Sequence, residues 1–78
     1  MVLRYTLERM PVFEKGSKHY EDYLEAGLDP TDCWDLIYSF FKPEHAFESL
    51  AEETSEWKSF AFRVCDTETG EVLALEGI

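Results

Sequence analysis

The sequence predicts a single α+β domain spanning residues 1–78, with two or three short helices packed on one face of a small three-stranded antiparallel sheet. Three observations lead to this prediction. Apolar and polar residues alternate at the N-terminus, the same alternation recurs on both sides of a turn near the C-terminus, and the stretch between them has helical periodicity. The predicted order of elements is therefore β-α-α-α-β-β.

The first predicted strand covers residues 1–9. Leu3, Tyr5 and Leu7 occupy one face of it, and the residues between them are polar or charged. Pro11 should end the strand, because proline has no N–H to donate to a sheet ladder. This strand supplies a third member of the sheet, which is needed because an isolated hairpin is only marginally stable in water.

The central region is predicted to be helical. Ser17 is the expected N-cap of a first helix that ends at Gly27, in the left-handed conformation that glycine adopts most easily. Asp29, as N-cap, predicts a second helix over Pro30–Phe41, whose apolar surface is too wide for a single stripe. A third helix is predicted over Pro43–Ser55. The residues of the third helix expected to face the core are Phe47, Leu50 and Ala51.

The C-terminal hairpin carries the strongest local signals. Residues 57–65 and 71–78 form its strands, and Gly70 closes the turn with the positive φ that this position requires. Its apolar face is predicted to consist of Phe60, Phe62, Val64, Leu73 and Leu75. On the opposite face, cross-strand pairs are predicted among four charged residues, Arg4, Glu8, Arg63 and Glu76.

The negative charge of the chain is concentrated in the helical region. The net charge is −10, and residues 19–56 alone contain eleven acids and one base, Lys42. A glutamate recurs every four residues from Glu44 to Glu56, so that like charges are neighbours on the helix surface. The acids predicted to bind a partner are Glu44, Glu48, Glu52, Glu53 and Glu56 on the third helix, and Glu21, Asp22, Glu25, Asp32 and Asp35 on the neighbouring helices. The aromatic residues predicted to anchor this contact are Trp34 and Tyr38.

This charge excludes some partners and favours others. The phosphates of nucleic acids and of anionic membranes would repel the chain, so direct binding to either is not expected. A row of carboxylates can instead imitate a row of phosphates, which predicts a small acidic inhibitor that binds a basic, nucleic-acid-binding protein. In size and charge the chain resembles small acidic phage-encoded inhibitors, including anti-CRISPR and anti-restriction proteins, although it shares no motif with them. The resemblance implies a viral protein that acts in the host cytoplasm.

Two other interpretations are open at this point. The first is that the acids form a solvated surface and bind no partner. The second is that the chain is a structural or assembly module, which homodimerises through its aromatic surface or through a free edge of the sheet.

The sequence contains no pattern typical of catalysis or of metal binding. His19, His45, Cys33 and Cys65 lack the spacings of zinc ligands, and there is no glycine-rich phosphate loop. We therefore expect no metal, no cofactor and no enzymatic activity, and we expect both cysteines to be buried, reduced thiols. A signal peptide and an apolar run of about 18 residues are both lacking, which predicts a cytoplasmic protein.

Overall fold

A computed structural model of the chain describes residues 3–77. It contains a four-stranded antiparallel sheet with the strand order β2-β1-β3-β4, and two helices. The elements are β1 (Tyr5–Pro11), α1 (Lys18–Glu25), β2 (Asp35–Phe40), α2 (Pro43–Glu56), β3 (Phe60–Asp66) and β4 (Val72–Glu76). The α+β class is confirmed, whereas the predicted three strands and their order were wrong, since the order is β-α-β-α-β-β. The predicted strand positions at 1, 2 and 78 lie outside the described residues.

The predicted second helix is replaced by a turn and the edge strand β2. The Asp29 carboxylate accepts hydrogen bonds from the backbone N–H and the hydroxyl of Thr31, at 2.9 and 2.6 Å, and so closes a local turn instead of capping a helix. The segment after the turn contains three aromatic residues and one β-branched residue, types that favour strands, and it pairs with β1 from Tyr5↔Phe40 to Arg9↔Asp35. Four site residues predicted to be helical are therefore elsewhere: Asp32 and Trp34 lie before β2, and Asp35 and Tyr38 lie on it.

The first helix begins and ends at the predicted residues. The Ser17 side chain accepts a hydrogen bond from the Tyr20 N–H, as an N-cap does. Gly27 has a φ of +79°, and the N–H of Leu28 donates to the carbonyl of Tyr23 at 2.9 Å. This geometry is a Schellman ending, which supplies partners to the last free carbonyls of the helix.

The core lies between α2 and one side of the sheet. Ala46 and Leu50 of α2 pack against Leu7, Phe62 and Val64, and these three strand residues are fully buried. The core is completed by the partly buried residues Tyr5, Ile37, Phe40, Phe60 and Ala74. The prediction that Phe47 and Ala51 face inward was wrong, because both residues flank the buried stripe of α2 and are exposed.

A β-bulge in β4 changes which of its side chains face the core. The register shifts between Val64 and Cys65 of β3, so that one residue of β4, Leu73, is left without a partner. Ala74 lies opposite Val64 and contributes to the core, whereas Leu75 lies opposite Arg63 on the other side of the sheet. The prediction that Leu75 continues the apolar face was therefore wrong, because a bulge reverses the alternation beyond it.

The charged residues of the strands pair only in part as predicted. Arg63 and Glu8 are neighbours in register and form an ion pair at 2.8 Å. Arg4 instead pairs with Asp66 at the start of the hairpin turn, at 2.9 Å, and this pairing holds the segment before β1 against the turn. Glu76 lies opposite Phe62, on the side that α2 covers, so it does not join the predicted cross-strand pairs.

Candidate protein-binding surfaces

The glutamates of α2 form a continuous row on its outer side, and we call this set the acidic row: Glu44, Glu48, Glu52 and Glu56. All four side chains are exposed, and they lie opposite the stripe that Ala46 and Leu50 press against the sheet. Twelve residues at 1.5 Å each make the row about 18 Å long. The row is the part of the predicted site that the fold brings together on one surface.

The positive charges of the chain do not neutralise the acidic row. Among residues 3–77 the ion pairs are Arg4–Asp66, Arg4–Glu68 and Arg63–Glu8, and none involves α2. The Arg9 guanidinium lies over the Phe60 ring, 4.9 Å from its centre. The arginines are thus engaged on the sheet, and the Lys58 ammonium donates to the Thr54 carbonyl in the last turn of α2. Among residues 3–77 no cation forms an ion pair with the acidic row.

The remaining predicted acids do not extend the acidic row. Glu53 is on α2 but half-buried, since it lies toward the sheet side of the helix. Glu21, Asp22 and Glu25 are exposed on α1, which makes at most marginal contact with the other elements of the described chain. A second helical cluster of acids therefore does not form around α2.

The acids near the start of β2 do not extend the acidic row, and they raise the pKa of a nearby thiol. Asp32 and Asp35 are exposed on either side of the connection into β2. Burial raises the pKa of Cys33 above its ordinary value, and the charges of Asp35, Asp29 and Asp32 raise it further. Cys33 is consequently a protonated thiol. Both Cys33 and Cys65 are free cysteines, and both are half-buried rather than buried as predicted.

The two predicted aromatic anchors lie on opposite sides of the sheet. The Trp34 ring covers the Arg63 guanidinium at 4.4 Å, in a cation–π contact. Tyr38 lies opposite Leu7, on the side that α2 covers, and is half exposed. Two further aromatic residues near the acidic row were not predicted: Phe41, 55% exposed just before α2, and Phe47, 40% exposed on it.

The other side of the sheet is a second surface, which we call the open face: Glu8, Trp34, Leu36, Arg63, Cys65, Val72 and Leu75. At its centre Arg63 bonds Glu8, and the Cys65 thiol donates to the same carboxylate at 3.2 Å. Leu36 on one edge strand and Leu75 on the other are 62% and 53% exposed. This surface was missed by sequence reasoning, because it exists only once β2 and β4 are placed beside the central strands.

The environment at the centre of the open face fixes the charge of its groups. Burial raises the pKa of Glu8, but the hydrogen bonds from Arg63 and Cys65 together with the Arg63 charge outweigh it, so the pKa lies below its ordinary value. Burial and the Glu8 carboxylate raise the pKa of the Cys65 thiol to about 11. At neutral pH the centre therefore holds a charged pair and a neutral thiol, and its net charge is zero.

A shallow apolar groove of about 210 Å³ lies between β1 and α1, lined by Met10, Val12, Phe13, Tyr20, Pro30 and Thr31. Its volume is below the 300–1,000 Å³ typical of ligand clefts. Residues 3–77 contain no group of three or more potential ligands that could hold a metal ion. Neither described helix is long and apolar enough to span a bilayer.

Comparison with known proteins gives no relative from which a function could be transferred. No family model matches the chain, and no curated protein or solved structure is detectably similar to it. The two surfaces described above are therefore the basis for any functional argument.

Proposed function

We propose that this chain is a small acidic protein-binding inhibitor that occupies the nucleic-acid site of a basic partner as a phosphate mimic. The observation that carries the proposal is the acidic row, with four exposed carboxylates and no paired cation among residues 3–77. Like charges four residues apart destabilise a helix by a few tenths of a kcal/mol per pair. Solubility alone does not require like charges at this destabilising spacing. Binding to a basic groove does require a row of negative charges on one surface.

The spacing of the acidic row suits a groove built for nucleic acid. Carboxylates four residues apart on a helix are about 6 Å apart along its axis. Each strand of a duplex carries one phosphate per about 3.4 Å of axis, so the row presents a charge at roughly every second phosphate position. Lysine and arginine side chains are long enough to adjust to that difference. The partner we propose is accordingly a protein with a lysine- and arginine-lined groove.

Aromatic side chains beside the acidic row add an apolar component to this surface. Phe47 is on α2 itself, and Phe41 and Tyr38 are on the segment that leads into it. All three are 40–55% exposed. Interfaces are enriched in aromatic residues, which supply binding energy where charges supply steering and orientation. By size and charge the proposed class is that of phage-type inhibitors of the anti-CRISPR or anti-restriction kind, acting in the host cytoplasm.

A comparative pull-down tests the proposal. The wild-type chain and the Glu48→Lys/Glu52→Lys variant are immobilised, and proteins captured from lysate are identified at low and high salt. The control is Glu14→Lys/Glu71→Lys, which changes the net charge equally at two exposed residues off α2. We expect the wild type and the control to retain the same basic nucleic-acid-binding protein, and salt to release it because screening weakens exposed charge contacts.

Competition with duplex DNA then tests the mimicry. We expect the DNA to displace the captured protein from the wild-type chain, because both ligands would occupy one groove. Equal capture by the wild type and by Glu48→Lys/Glu52→Lys would contradict a role for the acidic row. Capture that DNA leaves unchanged would contradict the mimic while preserving protein binding.

A further inference from the structure

We propose that the open face is a self-association surface, on which a second copy of this chain packs sheet against sheet in a two-fold symmetric dimer. The described chain is thin, with extents of 41 × 25 × 15 Å. Layers of secondary structure pack about 10 Å apart, so 15 Å accommodates the sheet and α2 but no third layer. One end of this side of the sheet is already covered, because Met10 and Ala61 share it and are only 4% and 0% exposed, and Met10 lies beside Tyr20 and Pro30. The remaining part, from Leu36 across Arg63 to Leu75, has no covering layer of secondary structure within residues 3–77, and a second copy would cover its exposed leucines.

Charge identifies a second copy as the occupant. The whole molecule carries −10, so two copies repel each other over most of their surfaces. Glu8 and Arg63 are the only charged strand residues on the open face, and they neutralise each other at 2.8 Å. The other charged residues of the strands have the opposite orientation or lie at a strand end: Arg9, Asp35, Asp66 and Glu76. Asp32, in the turn before β2, also acts on Arg63, but the strands of the open face contribute no net charge, so two copies can approach here with less repulsion than elsewhere.

The register of the sheet makes this surface complementary to itself. The strand order places β1 and β3 at the centre, with Glu8 on one directly beside Arg63 on the other. Consider a two-fold axis that lies in the interface, parallel to the strands and above the gap between β1 and β3. It places β1 of one copy opposite β3 of the other, and β2 of one copy opposite β4 of the other. The two Glu8–Arg63 dipoles then lie antiparallel, and Leu36 of one copy meets Leu75 of the other. Charged and apolar parts of the surface are both matched by the same operation.

The free edges of the sheet are poorer sites for self-association. Each edge strand contains a β-bulge, with Ile37 unpaired in β2 and Leu73 unpaired in β4. Bulges on edge strands interrupt the regular row of donors and acceptors that another strand would need, and they protect natural sheets from edge-to-edge pairing. The face of the sheet is therefore the better candidate than its edges.

The size of the surface predicts a modest affinity. Four strands about 4.8 Å apart and about 20 Å long give a footprint of roughly 400 Å² per copy, about half that of a standard specific interface, so the dimer is expected to be weak and reversible. We expect a dissociation constant in the micromolar range. In this dimer both α2 helices form the outermost layers, which keeps the two acidic rows apart and presents two of them to a partner.

Analytical ultracentrifugation of the full chain tests the dimer from about 1 μM to about 1 mM, the range in which an interface of this size dissociates. The test variants are Leu36→Glu and Leu75→Glu, and the control is Phe41→Glu, a residue of similar exposure off the open face. Each substitution occurs twice in the dimer and replaces a buried leucine by a charge, so each test variant should weaken dimerisation by roughly 100-fold. Phe41→Glu should dimerise as the wild type does. Circular dichroism checks that all variants fold.

A wild-type chain that is monomeric up to about 1 mM overturns the proposal, and so does a dimer that Phe41→Glu disrupts while Leu36→Glu and Leu75→Glu leave it intact. Raising the salt concentration should tighten the dimer, because it screens the repulsion between two net charges of −10. A dimer that salt weakens contradicts the neutral-face argument. The Glu48→Lys/Glu52→Lys variant should still dimerise, so failure of the dimer and failure of the acidic row are separately visible.

Discussion

The two sides of the sheet use the same strands for different purposes. On the side covered by α2, Leu7, Phe62 and Val64 are fully buried and contact the helix directly. On the open face, a central ion pair is flanked by leucines that are more than half exposed. Removal of apolar surface from water is the main source of folding free energy, so the covered side should carry most of the stability. The uncovered surfaces are then free to serve in binding.

The largest effect should follow from a cavity on the covered side. We expect Phe62→Ala to lower the free energy of unfolding by about 3–5 kcal/mol, a large part of the stability of a small domain. Phe41→Ala, the matched change at a residue that is 55% exposed, should cost less than about 1 kcal/mol. Urea unfolding of both variants at low protein concentration measures the difference. Similar losses from the two variants would mean that the covered side is not the principal core.

The covered side was largely predictable from sequence. The alternation in β1 and β3 identifies Leu7, Phe62 and Val64 as core residues without reference to distant contacts. Helix α2 could also be predicted from its own residues. Pro43 marks its start, and the observed end at Glu56 is one residue beyond the predicted end. Elements that are specified by their own residues were therefore predicted well.

Strand β2 was not predictable in the same way. Its apolar residues fit a buried helix as well as an edge strand, because short apolar runs have no distinctive period. Pairing with β1, which is some thirty residues earlier in the chain, decides between the two. The bulge that turns Leu75 outward lies in the β3–β4 hairpin, and the regular alternation of residues in β4 gives no sign of it. The acidic row could be predicted from helical spacing alone. Predicting the open face would have required the complete strand order.

The ion pair on the open face offers a second test of the comparison. The Glu8 and Arg63 side chains are only 19% and 25% exposed, so removing one charge leaves the other partly buried without a partner. We expect Glu8→Gln to lower the free energy of unfolding by about 1–3 kcal/mol at neutral pH. This is less than the loss from Phe62→Ala, because the open face exchanges hydrogen bonds with water more easily than the core does.

The dependence of this loss on pH follows from the lowered pKa of Glu8. The folded state holds the carboxylate in its charged form below the pKa that it has in the unfolded chain. Its contribution is therefore fully present above the ordinary pKa of a glutamate and is lost as the pH falls through the folded value. Denaturation curves at neutral and acidic pH should show the wild type and Glu8→Gln converging in acid. A difference that is independent of pH would argue that packing rather than charge links Glu8 to Arg63.

A third prediction concerns the strand framework that both sides share. Gly77 follows β4 with a φ of +88°, and a Cβ there would lie 2.6 Å from the Phe60 carbonyl oxygen. Gly27 has a similar φ of +79°, with nothing within 4 Å of a Cβ. Gly27→Ala should cost roughly 1 kcal/mol from backbone strain alone, and Gly77→Ala about 1 kcal/mol more from the collision. Equal losses in thermal unfolding would mean that the chain after β4 moves away from β3 without cost.

The smallest effect should have the opposite sign, and it separates stability from binding on α2. Glu52 is four residues from Glu48 and four from Glu56, so Glu52→Lys replaces two repulsive pairs by two attractive ones. At a few tenths of a kcal/mol per pair, the variant should be slightly more stable than the wild type. Glu71→Lys, in the hairpin turn, makes the same charge change without helical neighbours and should leave stability nearly unchanged.

If the acidic row only keeps the chain solvated, Glu52→Lys should gain stability without losing any binding partner. If the row binds a basic groove, the same substitution should raise the midpoint of thermal unfolding and weaken capture of the partner. A loss of stability in Glu52→Lys would instead indicate that the row contributes to the fold in a way that its exposure does not suggest.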